Sequence, residues 1–195
     1  MSTFTLSGHE GIRLDVMAGV RRLVAERLVI GTTGNVSARA GERVVITPTR
    51  TSYAGMRPED LVEVALSGRR EERAAVGASR ELPLHLAAYA ARPDVFAVVH
   101  THSPNATAWS FLGSVLEPEV EDLTYYAVGP VLTCAGEPGS TGLAASAAAA
   151  LAGSNGVLLA GHGVVTVADT VELAVHRAAA IEHAAQVALL VRGAR

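Results

Sequence analysis

Two apolar runs, Gly156 to Ala160 and Gly163 to Val167, are separated only by the turn at Gly161-His162-Gly163. Runs of that length are strand-sized, and so short a connection joins two strands only as an antiparallel pair, because a parallel pair needs a crossover of a dozen residues or more. This hairpin commits the chain to a sheet, and other segments extend it. Arg43-Val-Val-Ile-Thr47 reads as a strand after a turn at Ala40-Gly41, ended by Pro48. Leu61 to Leu66, closed by Ser67-Gly68, and the near-continuous apolar run Val95 to His100 read as two more. Short strands are expected near Tyr125 and from Val131 to Cys134.

Helical spacing alternates with these runs. Gly11 to Leu28 places Leu14, Met17, Val20, Leu23 and Val24 on one side. Leu82 to Ala91 reads as a helix stopped before Arg92-Pro93. Ser103 as N-cap and Pro104 at the first helical position begin another. Thr141 to Leu151 is an alanine-rich helix, and Asp169 is placed to cap a last helix from Thr170 to about Arg192. Gly31 to Ser37 reads as a loop. Strands and helices in this mixture predict an α/β fold with a mainly antiparallel sheet and helices on its faces. No linker divides the chain, so residues 1–195 are expected to form a single domain.

Composition narrows the function. With 49% hydrophobic and 18% charged residues, 195 residues build a proper core. A net charge of -3 without a basic run argues against nucleic acid as a partner. No stretch of about 18 apolar residues suggests a membrane span. The lone Cys134 permits no internal disulfide, and no secretory signal is visible, so a cytoplasmic location is expected. Aromatics are scarce at 4%, and a mean hydropathy of +0.30 is high for a monomer, which hints at buried subunit contacts.

Histidines carry the chemistry. Alternate residues of a strand share a face, so His100 and His102 project together from the end of the Val95 run. Two imidazoles so placed are half a metal site or a hydrogen-bonded surface pair. His162, between two glycines at a strand end, is either a third ligand or part of a strand-joining turn. Three such ligands suit zinc, with Mn2+, Co2+ or Fe2+ also compatible, and leave a position open for substrate. Glu81, just before Pro83, is either a charge favoured at a helix start or a general base beside the metal. His85 lies four residues on, on the same helix face, in a supporting role. The Gly31–Ser37 loop offers amides and hydroxyls to an anion, or is simply a turn. His176 and His183 share a face of the last helix and read as packing or interface residues.

Several of these motifs follow one another in a recognisable order. They are Gly31-Thr-Thr-Gly-Asn-Val-Ser37, Ile46-Thr-Pro-Thr49, Ser79-Arg-Glu81 with His85, Ala87-Ala-Tyr-Ala-Ala-Arg-Pro93, Ala97-Val-Val-His-Thr-His102 and Gly161-His-Gly163. Together they resemble the class II aldolase/adducin family across nearly the whole chain. The resemblance implies a three-layer α/β/α sandwich around a mostly antiparallel sheet. It also implies a homotetramer with active sites between subunits. It assigns His100, His102 and His162 as zinc ligands and Glu81 as the acid/base residue. Gly34, Asn35, Thr49 and Ser79 fall where the family holds a substrate phosphate. Arg50 and Arg80 stand there in place of a glycine and a serine, and still suit a phosphate or a carboxylate. A tyrosine from the family's middle region corresponds to Tyr125 or Tyr126, although Glu121 and Asp122 fall nearer its place. The implied reaction is cleavage of a short ketose 1-phosphate to dihydroxyacetone phosphate and an aldehyde through a metal-stabilised enediolate. The same chemistry would also serve an epimerase, dehydratase or decarboxylase acting on a sugar-acid phosphate. An interaction-only protein, like the adducin branch, and an iron oxygenase are further readings.

Overall fold

The computed structural model describes residues 8–67, 77–113 and 115–194. Gly68, at the end of one expected turn, lies outside them. Seven strands form one sheet: β1 (Asn35–Ala40), β2 (Arg43–Ile46), β3 (Val62–Ala65), β4 (Ala97–Thr101), β5 (Leu132–Cys134), β6 (Gly156–Leu159) and β7 (Gly163–Ala168). Their order is β3-β2-β1-β4-β7-β6-β5. Five of the six pairings are antiparallel. The exception is β5 with β6, and there a helix supplies the crossover that parallel pairing requires.

Among the described residues, six α-helices cover the sheet: α1 (Gly8–Ala25), α2 (Leu82–Ala91), α3 (Pro104–Ser110), α4 (Glu121–Tyr125), α5 (Thr141–Leu151) and α6 (Val171–Gly193). Strand alternation divides the core in two. Val98, Val165 and Val167 face Leu84, Ala88 and Tyr89 of α2 and Leu143, Ala147 and Leu151 of α5. Val36, Val99 and Val164 face Met17 and Leu23 of α1, Trp109 of α3, Leu123 of α4 and Ile181 of α6. The result is the three-layer α/β/α sandwich. Alanines on α5 and α2 let these two helices lie close together on their face.

The structure corrects the sequence reading in five places. The Gly31 loop ends at Gly34, and Asn35-Val36-Ser37 open β1, a strand whose Asn, Ser and Arg content looks like loop composition. Tyr125 ends the one-turn helix α4, with Glu121 and Asp122 in its first turn, and is not in a strand. Val16 is fully buried on α1, whereas Leu14 and Val24 are 45% and 49% exposed, so the inward stripe is rotated by part of a turn. Thr170, not Asp169, caps α6: its hydroxyl accepts a bond from the Leu173 amide at 3.1 Å. Ser103 sits at the N-cap of α3 before Pro104, but its hydroxyl makes no capping bond.

Candidate metal centre and active site

The site lies where β4 ends. His100 follows Val98 by two residues and therefore points to the α2 face of the sheet. Its Nδ1–H donates to the Val164 carbonyl at 2.9 Å, which leaves the Nε2 lone pair facing the site. Gly163, at φ +154°, begins β7 against this strand end; a Cβ there would lie 1.9 Å from the Thr101 carbonyl oxygen. That close approach brings His162 to His100 and His102. The three ring centroids are 4.7–4.8 Å apart. On the other side, the Gly34 backbone, at φ +75°, passes under the His100 carbonyl.

Glu81 completes the cluster. It occupies the N-cap position of α2, is buried, and its amide donates to Ser79 Oγ at 3.2 Å. Its Oε2 lies 3.1 Å from His100 Nε2 and its Oε1 lies 3.3 Å from His162 Nε2. One ligand atom from each of Glu81, His100, His102 and His162 fits within 4.8 Å. Glu81 thus stands among the candidate ligands as well as beside them, which the spacing of Ser79-Arg-Glu81 alone did not show.

The donor chemistry suits a divalent cation. Glu81 Oε1, His100 Nε2 and His162 Nδ1 are buried and make no hydrogen bond. With His100 protonated on Nδ1, its Nε2 and the Glu81 oxygen are two acceptors face to face, an arrangement that a cation between them reconciles. Burial first, then the neighbouring His100 and His162, push His102 down to about 4. His162 is also pushed down, chiefly by burial. Both imidazoles are therefore neutral and ligand-ready near pH 7. Burial would raise the Glu81 carboxyl, but His100, the Asn35 amide, His162 and His85 together hold it below the usual carboxylate range.

Behind Glu81 stands a buried row of side chains. Asn35 Nδ2 donates to Glu81 Oε2 at 2.7 Å, and Asn35 Oδ1 lies 2.5 Å from His85 Nε2. His85 Nδ1 lies 2.7 Å from Ser37 Oγ, which lies 2.9 Å from the Tyr89 hydroxyl. The expected support of Glu81 by His85 is thus routed through Asn35. The sequence points to Asn35 only as a phosphate contact in a loop, and nothing in it shows the bond to Glu81.

The remaining candidates fall into two groups. An isolated bridge joins Pro48 to Ala78, with the Thr49 amide bonded to the Gly77 carbonyl and the Ser79 amide to the Thr47 carbonyl. The bridge is antiparallel, so Thr49 lies opposite Gly77 and Ser79 opposite Thr47: Thr49 and Arg50 leave it on one side, and Ser79 and Arg80, directly before Glu81, on the other. Arg50 and Arg80 are both exposed, and Arg50 has φ 52°. Tyr53, which the sequence did not single out, donates to the Gly34 carbonyl at 2.6 Å, and burial pushes its phenol up to about 12. Tyr125 is 78% exposed on α4, with its ring against Tyr126, and does not join this cluster within the chain. His176 meets Arg22 and the Tyr126 ring, and His183 pairs with Asp122 at 2.5 Å.

Residues 15–189 match the class II aldolase and adducin N-terminal domain. The chain belongs to that family. It is 36% identical over 179 residues to 5-deoxy-D-ribulose 1-phosphate aldolase of Bacillus thuringiensis serovar kurstaki, a match that covers 90% of this chain and 83% of that protein. It is 34% identical over 161 residues to L-fuculose phosphate aldolase of Escherichia coli strain K12, covering 82% of this chain and 74% of that one. In structure it is similar to L-fuculose-1-phosphate aldolase from Thermus thermophilus. That likeness has a TM-score of 0.83 at 31% identity and covers 93% of this chain and 94% of the other. These relatives are named as aldolases, which are carbon–carbon lyases.

Proposed function

We propose that this family member is a zinc-dependent aldolase that cleaves a short ketose 1-phosphate to dihydroxyacetone phosphate and an aldehyde. The observation that carries the reading is the convergence of three imidazoles and one carboxylate at the end of β4. His100, His102 and His162 would hold the cation, with Glu81 within reach of it. A bound divalent cation supplies Lewis-acid stabilisation of the negative charge that develops on the substrate's carbonyl oxygen. As the carbon–carbon bond breaks, the hydroxyl that becomes the aldehyde gives up its proton, and Glu81, once protonated, returns one to the carbon left electron-rich; in the reverse direction its carboxylate takes that proton back. Ser79, with its hydroxyl on the Glu81 amide, would hold the phosphate together with Gly34, Asn35, Thr49, Arg50 and Arg80. Tyr125, exposed on α4, would serve a neighbouring subunit in a homotetramer. A cytoplasmic location belongs to the same reading, and no described helix is long and apolar enough to cross a membrane.

The test is release of dihydroxyacetone phosphate from a panel that includes 5-deoxyribulose 1-phosphate and fuculose 1-phosphate. Elemental analysis of untagged protein should find about one zinc per subunit, as a single set of three imidazole ligands implies, lost in His100→Ala. No triose phosphate from any member of the panel would sink the substrate assignment. The arginines Arg50 and Arg80 favour one second reading, decarboxylation of a 3-oxo sugar-acid phosphate, because guanidinium groups recognise carboxylate as well as phosphate. Carbon dioxide release would identify it.

A further inference from the structure

We infer that His85 is a positioning residue for Glu81 and acts through Asn35, whose amide it locks in the one orientation that presents the NH2 group to the carboxylate. This rests on the reading of Glu81 as a functional carboxylate. An ionised carboxylate only accepts hydrogen bonds, so the Asn35 atom 2.7 Å from Glu81 Oε2 must be the nitrogen. Asn35 Oδ1 then faces His85, and at 2.5 Å His85 Nε2 must carry a hydrogen. His85 is fully buried and has no acidic side chain in hydrogen-bond contact, so it stays neutral, with Nδ1 as an acceptor. Ser37 therefore donates to Nδ1, and Tyr89 donates to Ser37. The 3.3 Å contact from Tyr89 to the Phe96 carbonyl is the longer of its two. All four donors point the same way, from the core to the carboxylate.

The row matters because a glutamate carboxylate rotates easily about its last torsion and an asparagine amide can be turned over with little change of shape. Asn35 and Ser37 sit on the α2 face of β1, opposite His100 and Val98 of β4, and His85 and Tyr89 sit one turn apart on α2. The two elements thus clamp the amide between them. Turned over, Asn35 would set its oxygen against Glu81 Oε2, and the carboxylate would swing away. Held, it fixes Oε2 and leaves Oε1 as the carboxylate oxygen without a hydrogen bond. Among the described residues, the His85 side chain bonds only Asn35 and Ser37; its effect is on where Glu81 points.

Two substitutions at one position separate this role from mere packing. The amide nitrogen of His85→Gln can reach the place of Nε2 and donate to Asn35, whereas that of His85→Asn reaches only the place of Nδ1. His85→Asn should lower kcat about 10- to 100-fold with KM little changed, the usual range for residues that orient metal ligands. His85→Gln should recover most of that loss. Titration with Co2+, followed by its visible absorption, reads the same ordering without substrate: affinity should fall in His85→Asn and be largely restored in His85→Gln. Ser37→Ala, which removes a single hydroxyl, should shift both readouts in the same direction by less, and serves if His85→Asn does not fold. Equal losses in His85→Asn and His85→Gln, or a His85→Asn that matches the wild type in kcat and Co2+ affinity, would overturn the role. If the wild type cleaves no ketose phosphate, the aldolase reading falls, and the Co2+ comparison still decides this one.

Discussion

At the scale of single residues, the site works through what its groups are prevented from doing. His100 is held in place because its Nδ1–H is spent on the Val164 carbonyl, which turns Nε2 towards the site. His85 and His102 are held neutral by burial, at about 3 and about 4. An unfolded chain releases both imidazoles to their ordinary value near 6.5. Below that value the unfolded state therefore binds more protons than the native state, and acid draws the equilibrium towards it. The lowered Glu81 carboxyl acts in the same direction at lower pH. Melting temperature of the metal-free protein should hold above pH about 6.5 and fall steadily towards pH about 4. A flat profile over that window would show that these imidazoles titrate alike in both states. In the presence of metal, Glu81→Gln keeps the side chain's shape and removes its basicity. It should cost kcat about 100- to 10,000-fold, the range for losing a general acid/base group. A loss under about tenfold would move the proton-handling role elsewhere.

At the scale of elements, most of what the sequence revealed came from periodicity. α2 and α5 were legible to the residue, because Pro93 and the Ser140-Thr141 start bound long apolar helical stretches. β4, β6 and β7 were legible because buried strands are apolar on both faces. β1 was hidden for the opposite reason: Asn35 and Ser37 carry polar groups that serve α2 across the layer boundary, so the strand lacks an apolar signature. In the site, the three histidines could be read from strand alternation and glycine flanks. Asn35's partners and Glu81's place among the ligands could not, because they depend on how α2 docks on β1. The start of β7 lies close against the end of β4. Gly163→Ala would drive a Cβ into the Thr101 carbonyl. It should cost about 3 kcal/mol or more, the upper range for point changes, and lower the melting temperature by roughly 6–12 °C. A variant melting within about 1 °C of the wild type would mean that the strand end yields freely.

At the scale of the whole molecule, several large apolar side chains stand on the surface. Phe111, Tyr125 and Leu190 are 75%, 78% and 68% exposed, and Val191 and Leu132 are exposed as well. Apolar side chains in such number are consistent with the assembly proposed above. Leu190→Glu, on the exposed side of α6, should shift the protein to a smaller species in sedimentation at micromolar concentration. A wild type that already sediments as a monomer would remove the tetramer from the reading.

Register ties these scales together. Asn35 lies opposite His100 in the β1–β4 pairing, and the same strand carries Ser37 to His85. A slip of one residue would set Val36 opposite His100 and turn Asn35 and Ser37 to the far face. The centre is therefore a checksum on the sheet: a chain could collapse, bury its valines and give an ordinary circular dichroism spectrum, yet fail to bind metal. With the proposed cation bound, its stoichiometry, more than solubility or helix content, would count the correctly folded molecules in a preparation of this protein.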